Sequence, residues 1–384
     1  LVGAYLLSGS PSYRQAGVHV YAKHLLNALA RLADHDHRLT ALISPTARAE
    51  AEAFSILNTQ YSFRFASRTT EKPFSRIFVE QFETPKLLRA LKADLYHGLG
   101  FVAPLKSPCP TIVSVMDLSF ITQPRAHKLF NRTYLRLFAR ASCRQAARVV
   151  TISEYTKRDV VKHFGIPAER VDAIPLGVDH TQFRPQRQDA LAQFKLQHNI
   201  DEQAIFYLGS LEPRKNLPRL IDAFTLLHSQ FAIRNSQLFI GGNLAWKYDE
   251  VFARIRDLGL QDRIKLIGRV HDDDLPKWYA ACAVTTYPSL YEGFGLPPLE
   301  AMACGAAVVT SNVTSLPEVV GEAGLMVDPT DTHALAAALS RVLTDAALRA
   351  EMRRKSIIRA QRFTWQRTAE QTMESWRRGL GLRE

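Results

Sequence analysis

Glu292 and Glu300 stand eight residues apart and bracket the run Gly293-Phe294-Gly295-Leu296-Pro297-Pro298, while far upstream Arg214 and Lys215 form an isolated basic pair. Ala283–Pro288, before the run, reads as a buried strand end, and Leu299–Cys304, after it, reads as a short helix stopped by Gly305. A strand, a glycine turn and a helix start together aim backbone N–H groups and a positive dipole end at an anion. Gly293 and Gly295 let the backbone come close to a ligand, and Pro297 and Pro298 suit a first helical turn, where an N–H is dispensable. Neither glutamate is needed for a phosphate. A carboxylate accepting from paired hydroxyls is how proteins hold a ribose or a sugar, so the pattern suggests a ligand with hydroxyls on both sides of its phosphates, as in a nucleotide sugar. Arg214 and Lys215 follow the strand Ala204–Leu211, at its carboxyl end, where their charges can neutralise a diphosphate and remove the need for a metal. The same residues also read as a tight turn with a capping and a surface glutamate, and as ordinary surface charge.

The longer run from Pro288-Ser289 through Glu292-Gly293-Phe294-Gly295 to Glu300-Ala301-Met302-Ala303 resembles the donor site of the retaining glycosyltransferases of family four, which have the two-domain GT-B fold. That resemblance implies that Glu292 faces the donor sugar, that the backbone of Gly293, Phe294, Gly295 and Leu296 meets sugar hydroxyls and diphosphate, and that Glu300 binds the nucleotide ribose. Glu212-Pro213-Arg214-Lys215-Asn216 resembles the family's diphosphate clamp, and Arg269 and Val270 fall where the family meets the nucleotide base. Gly17, at a helix entrance, falls where the family adds to the diphosphate site; many members carry two glycines there, and this chain has Ala16-Gly17. Asp117 is the candidate acceptor or sugar contact, with a helix cap as its other reading. Many members have His-Asp where this chain has Met116-Asp117, and a methionine neither takes nor gives a proton. The resemblance further implies retention of anomeric configuration, with the leaving phosphate taking the acceptor's proton. It is nearest in motif to bacterial mannosyltransferases that use GDP-mannose, although UDP-glucose enzymes share these motifs.

These residues need a frame to position them. At 384 residues, two domains are expected. Strands are expected at Val2–Leu7, Leu39–Ser44, Phe63–Ala66, Asp94–His97, Thr111–Met116, Val149–Ile152 and Val171–Pro175, most of them separated by helical patterns such as Gly17–Ala30. After a polar stretch over His180–Asp189 the alternation resumes at Ala204–Leu211, Leu238–Gly241, Ile264–Ile267, Ala306–Thr310 and Gly324–Asp328. Alternation of this kind argues an α/β fold with parallel, doubly wound sheets whose ligands lie beyond the carboxyl ends of the strands. The expected organisation is GT-B: two Rossmann-like domains facing a central crevice. The N-terminal acceptor domain spans 1–182, the C-terminal donor domain spans 183–362, and a final helix over 363–384 crosses back to the first domain.

Composition narrows the partners. A formal charge of +12 with 46% hydrophobic and 22% charged residues describes a globular chain that meets an anion: nucleic acid, a membrane surface or a phosphorylated substrate. No aromatic-studded basic loop points to nucleic acid, and none is expected as a partner. No stretch reaches 18 apolar residues, so a soluble, cytoplasmic chain is expected, peripheral on the inner face of the membrane. Arg132, Arg136, Arg140, Arg144 and Arg148 recur every four residues on one predicted helical stripe, within a segment, Leu118–Ser153, that lacks acidic residues. The stripe reads either as a solvated face or as a surface for anionic lipid or a lipid-linked acceptor. Cys109, Cys143, Cys282 and Cys304 are scattered, without metal-ligand spacing. Asp34-His35-Asp36 and Asp272-Asp273-Asp274 match a D-x-D pattern but lack apolar β flanks, so neither a metal nor a cofactor is expected; the second reads as a helix cap cluster. The expected partners are a nucleotide-sugar donor and a glycan or lipid-linked acceptor. A nucleotide-sugar epimerase, a pyridoxal-dependent phosphorylase and a non-catalytic nucleotide-sugar sensor are the competing functions.

Overall fold

In a computed structural model, the described residues are 1–7, 17–32, 38–48, 61–124, 129–231, 233, 235–242 and 249–382. The loop expected at Ser8–Ala16 and the Asp34/Asp36 pair lie outside them. Residue contacts divide the chain into two units, Leu1–Gly177 with Trp365–Glu384, and Val178–Thr364.

The first unit is built on seven parallel strands. These are β1 (Val2–Gly3), β2 (Leu39–Ile43), β3 (Tyr61–Phe65), β4 (Tyr96–Gly98), β5 (Thr111–Val115), β6 (Arg148–Thr151) and β7 (Val171–Ala173), in the order β3-β2-β1-β4-β5-β6-β7. Order reverses between β1 and β4, as in a doubly wound nucleotide-binding sheet. The interior strand β5, Thr111–Val115, is buried throughout, because helices cover both faces of a parallel sheet and leave no solvent side. The strand expected over Val2–Leu7 ends at Gly3: the Leu7 N–H donates to the Ala4 carbonyl at 3.0 Å, and this turn takes the chain off the sheet.

The helix Trp365–Gly379 belongs to this unit. Its Trp376 Nε1–H donates to His97 Nδ1 at 3.0 Å, so the ring proton of His97 sits on Nε2 and reaches Ser114 Oγ at 2.8 Å. Burial pulls the His97 imidazole down to about 3, which keeps it neutral. Ser375 Oγ donates to Asp172 at 2.7 Å, and Trp365 stacks on His24 with centroids 5.1 Å apart.

The arginine stripe is shorter than its spacing implies. The helix Leu129–Gln145 carries Arg132, Arg136, Arg140 and Arg144, whereas Arg148 lies on β6 and grips Asp172 through Nε and Nη2, both at 2.6 Å. The helix stops because Ala147 N–H donates to Thr111 O at 2.8 Å, drawing the chain alongside β5, where β6 begins. No helix among the described residues is long and apolar enough to cross a membrane.

The second unit has six parallel strands, β8 (Ala204–Leu208), β9 (Gln237–Gly241), β10 (Ile264–Gly268), β11 (Val284–Tyr287), β12 (Val308–Ser311) and β13 (Leu325–Val327). Their order, β10-β9-β8-β11-β12-β13, repeats the reversal, here between β8 and β11. Ile205, Tyr207, Leu238, Ile240, Val284 and Val309 share one core with the helices Leu217–Ser229 and Thr332–Thr344. The tail helices begin where short acids cap them: Asp331 accepts from Ala334 N–H and Asp345 from Leu348 N–H. Asp274, by contrast, makes no side-chain cap for the helix Leu275–Ala281; its carboxylate pairs with Lys277 at 2.8 Å instead.

Candidate functional site

β11 pairs directly with β8, with Val284 beside Ile205 and Thr285 beside Phe206, so the loops leaving these two strands emerge side by side at the reversal of strand order. One loop carries Arg214 and Lys215, and the other carries Glu292 and the glycines. The register therefore brings together residues that the sequence separates by 77 positions: Lys215 Nζ lies 2.6 Å from Glu292 Oε1, and Arg214 Nη1 lies 3.0 Å from Glu292 Oε2. The backbone closes the same contact, with Leu290 N–H donating to Arg214 O at 2.8 Å and Arg214 Nη1 reaching Tyr291 O at 3.2 Å.

Asn216 holds the basic turn in place. The turn Pro213–Lys215 ends at Asn216 in a left-handed conformation, φ +61°, which asparagine tolerates better than most residues. Its Nδ2 donates to Pro288 O at 3.0 Å and Pro329 O at 2.8 Å, tying together the loops after β8, β11 and β13. Glu212 completes the cluster, a role its residue type and spacing do not specify: its Oε1 lies 2.7 Å from Arg214 Nη2 and accepts from Ser210 Oγ at 2.8 Å. The adjacency of Glu212 to the basic pair was the available signal.

Electrostatics follow from this packing. Burial opposes ionising Glu292, but Lys215 and then Arg214 outweigh it and bring its carboxyl down to about 2. Burial lowers the Lys215 ammonium, and Arg214 adds to that, with Glu292 working against both. Glu292 is therefore an anion throughout the physiological range and cannot serve there as a proton donor.

After Glu292 the chain turns through Gly295, whose φ of +112° and close contact with Leu316, 2.8 Å from an added Cβ, both require glycine. The helix begins at Leu296, three residues before the expected Leu299, because Pro297 and Pro298 occupy its first turn, where no N–H is lost. Pro297 and Pro298 have no N–H and Leu299 N–H donates to Gly295 O at 3.3 Å, so the N–H groups available to an anion are those of the turn Gly293–Leu296, which follows Glu292 directly and carries the positive end of the helix dipole. Phe294 turns inward and packs edge-to-face on Phe363 at 6.0 Å, so only its backbone can face a ligand. Glu300 lies farther along the same helix. Tyr279 Oη donates to its Oε2 at 3.0 Å, and burial pushes the carboxyl up to about 7, with the Tyr279 bond opposing and Asp272 adding. Tyr279 is a second residue that local patterning did not single out.

Arg269 and Val270 follow β10, at the same carboxyl edge but beyond β9 and β8, roughly 14 Å of strand spacing from β11. Val270 packs against Gly241, and Arg269 is exposed. In the first unit, Gly17 opens the helix Gly17–Leu32 and is exposed. Asp117 follows β5, where its Oδ1 accepts from Ser119 N–H at 2.8 Å and Ser119 Oγ at 2.7 Å. On the helix Leu129–Gln145, Arg136, Arg140 and Arg144 are exposed and Arg132 is half-buried. Among the described residues, no three His, Cys, Asp or Glu side chains gather as a metal-holding group.

Known proteins share this architecture and sequence. Residues 189–359 match the family described as Glycosyl transferases group 1, and residues 16–182 match Glycosyltransferase Family 4. The crystal structure of Anabaena HepE with UDP and glucose superimposes with a TM-score of 0.75 at 19% identity, covering 98% of both chains. The serotype-specific mannosyltransferase WbdA of Escherichia coli is 31% identical over 242 residues, 62% of this chain but 30% of that longer protein. O-antigen chain mannosyltransferase B of Escherichia coli is 33% identical over 291 residues, 76% of each chain. Two matched domains that nearly fill the chain, and a relative of this identity and coverage, make the chain a member of the family 4 glycosyltransferases.

Proposed function

We propose that this glycosyltransferase moves a hexose, mannose from GDP-mannose, onto a glycan or lipid-linked acceptor in polysaccharide synthesis, retaining the anomeric configuration and using no metal. The observation that carries the reading is Glu292 held between Lys215 at 2.6 Å and Arg214 at 3.0 Å, beside a helix start. Two cations and a set of N–H groups thus meet where a diphosphate would gain charge. Mannose is supported by the names of the 33% and 31% identical relatives.

In this reading the bond from the sugar's anomeric carbon to the diphosphate oxygen breaks, and its electron pair leaves with the diphosphate. Arg214, Lys215 and the N–H groups around Gly293–Leu296 stabilise that growing charge. Two or three charge-assisted hydrogen bonds of about 1.5–3 kcal/mol each, strengthened in the transition state, supply several powers of ten in rate. The acceptor oxygen bonds to the same face of the anomeric carbon, and its proton passes to the departing phosphate oxygen. Glu292 faces the cationic sugar and keeps both cations oriented. Both of its oxygens are engaged by those cations, which argues against a covalent intermediate on it. Glu300 accepts from the ribose hydroxyls, Arg269 and Val270 flank the base, and Gly17 adds an amide to the diphosphate. Asp117, fixed through Oδ1 by Ser119, contacts the acceptor or the sugar. The exposed arginines of the helix Leu129–Gln145, with Leu137 62% exposed among them, meet an anionic membrane where such acceptors reside.

Thermal shifts with GDP-mannose, UDP-glucose and UDP-N-acetylglucosamine, followed by NMR assignment of the product anomer, test the proposal. Stabilisation by GDP-mannose and a retained configuration are expected. An inverted product, or hydrolysis or epimerisation without transfer, would sink it.

A further inference from the structure

Four charges make up the basic cluster of the second unit, and they cancel. Arg214 and Lys215 contribute two positive charges; Glu212, at 2.7 Å from Arg214 Nη2, and Glu292, at 2.6 Å from Lys215 and 3.0 Å from Arg214, contribute two negative ones. A group with no net charge is a poor trap for a diphosphate, and the proposed reaction uses only one of the two carboxylates. We propose that Glu212 is a built-in competitor for the donor's diphosphate: it surrenders the Arg214 guanidinium when the anion binds and reclaims it when the nucleoside diphosphate leaves, thereby setting the affinity of the site. This rests on reading the cluster as the donor-diphosphate site.

Geometry distinguishes the releasable carboxylate from the fixed one. Glu292 is held by both cations, its N–H donates to Thr314 Oγ1 at 3.2 Å, and its carbonyl accepts from Ser315 Oγ at 2.9 Å. Thr314 keeps φ +60°, an unfavourable angle for a β-branched residue, so the loop behind Glu292 is braced at some cost in strain. Glu212 is less constrained. Besides Arg214, its carboxylate meets the hydroxyl of Ser210, and it sits at the half-buried rim with 17% of its side chain exposed, where water can receive it. Its backbone need not move: the Glu212 carbonyl accepts from Lys215 N–H at 3.0 Å, and Pro213 follows directly. Exchange of one anion for another at Arg214 is therefore a side-chain rotation. The guanidinium keeps its charge and its Glu292 bond throughout, so the cation stays aimed while its second partner changes.

The consequence is a trade between capture and release. Removing the competitor strengthens binding of the product and slows its departure. Isothermal calorimetry with GDP and UDP on wild type, Glu212→Gln, Arg214→Ala and the double variant tests this, with melting curves checking that each variant folds. Glu212→Gln is expected to bind GDP about fivefold to tenfold more tightly, the scale of one partly exposed charge. Its KM for donor and its kcat should fall together as release becomes limiting, and Glu212→Asp should return toward wild type. In the Arg214→Ala background, Glu212→Gln should have no effect, because the competition is for that guanidinium. Unchanged or weaker binding in Glu212→Gln would overturn the proposal and make Glu212 a positioning residue for Arg214. If Arg214→Ala binds as wild type does, or wild type binds neither nucleotide, the donor-site reading itself fails and this inference with it. If Arg214→Ala loses binding while Glu212→Gln does not gain it, only the inference falls.

Discussion

Lys215 is 7% exposed and paired with Glu292, so replacing it acts twice. Its charge lies at the carboxyl end of a strand, where turnover would depend on it, and its burial ties it to the fold as well. Lys215→Ala leaves Glu292 with Arg214 alone, which should lower stability by about 1–3 kcal/mol and turnover by about a hundredfold. Urea melts and single-turnover kinetics separate the two, and near-wild-type kcat would remove Lys215 from the chemistry. Glu300 behaves differently because burial raises its carboxyl from 4.5 to about 7. The folded chain holds that proton more tightly than the unfolded one, so this group's contribution to stability is fullest below about 4.5 and declines as pH rises toward 7. Ligand binding should run the other way. The ionised carboxylate is the better acceptor for ribose hydroxyls, so GDP affinity should climb through pH 7, beyond the phosphate's own titration, and Glu300→Gln should flatten that extra slope. The same variant should raise donor KM about tenfold with kcat little changed, as uniform binding requires. A pH profile identical to wild type would show that Glu300 touches no ribose.

Two helices carry the predictions at the scale of elements. The helix Trp365–Gly379 is pinned to the first sheet partly through Asp172, which accepts from Ser375 at 2.7 Å and pairs with Arg148 at 2.6 Å and Arg378 at 3.3 Å. Burial works against ionising Asp172, but hydrogen bonds from Arg148 and Ser375 and the charges of Arg148 and Arg378 hold its carboxyl below the usual range. Asp172→Asn should therefore cost about 2–3 kcal/mol at neutral pH, with the loss shrinking as pH falls below the free-carboxyl range, where wild type loses the same contribution. Denaturant melts at pH 7 and pH 3 measure this, and equal losses at both would show that shape, not charge, holds the helix. The helix Leu129–Gln145 offers Arg136, Arg140 and Arg144 to solvent beside exposed Leu137. At about 1 kcal/mol per arginine near an anionic surface, three of them give weak, reversible binding that salt screens over about 8 Å. Vesicle sedimentation should show binding to anionic but not neutral lipid, release as salt rises, and loss when all three become Gln. Retained binding in that variant would assign the stripe to solvent.

At the scale of the whole chain, the charge of +12 and the self-paired basic cluster carry a prediction about metal. If Arg214 and Lys215 supply the cationic stabilisation, transfer should proceed unchanged in EDTA, and activity lost to EDTA and restored by magnesium or manganese would contradict the mechanism. Much of the architecture was legible because it is local. Runs such as Ile112-Val113-Ser114-Val115, a glycine turn before Pro297-Pro298, and alternation with helical patterns depend on neighbours in the chain, and they mark the strands and the turn into the helix wherever the rest of the molecule lies. Their ends were less legible: β1 stops at Gly3, and Arg148 leaves the helical stripe for β6, because pairing with partners far along the chain sets those limits. Residue type and spacing alone mark Arg214 and Lys215 as cations and Glu292 and Glu300 as acceptors of hydroxyl protons. The folded core adds that β8 lies against β11, so that Lys215 meets Glu292 across 77 positions, that Glu212 shares Arg214, and that burial lifts Glu300 to about 7 against the opposing bond from Tyr279. Strand order and burial are long-range properties of the folded core, and the pairing and charge state of these groups follow from them.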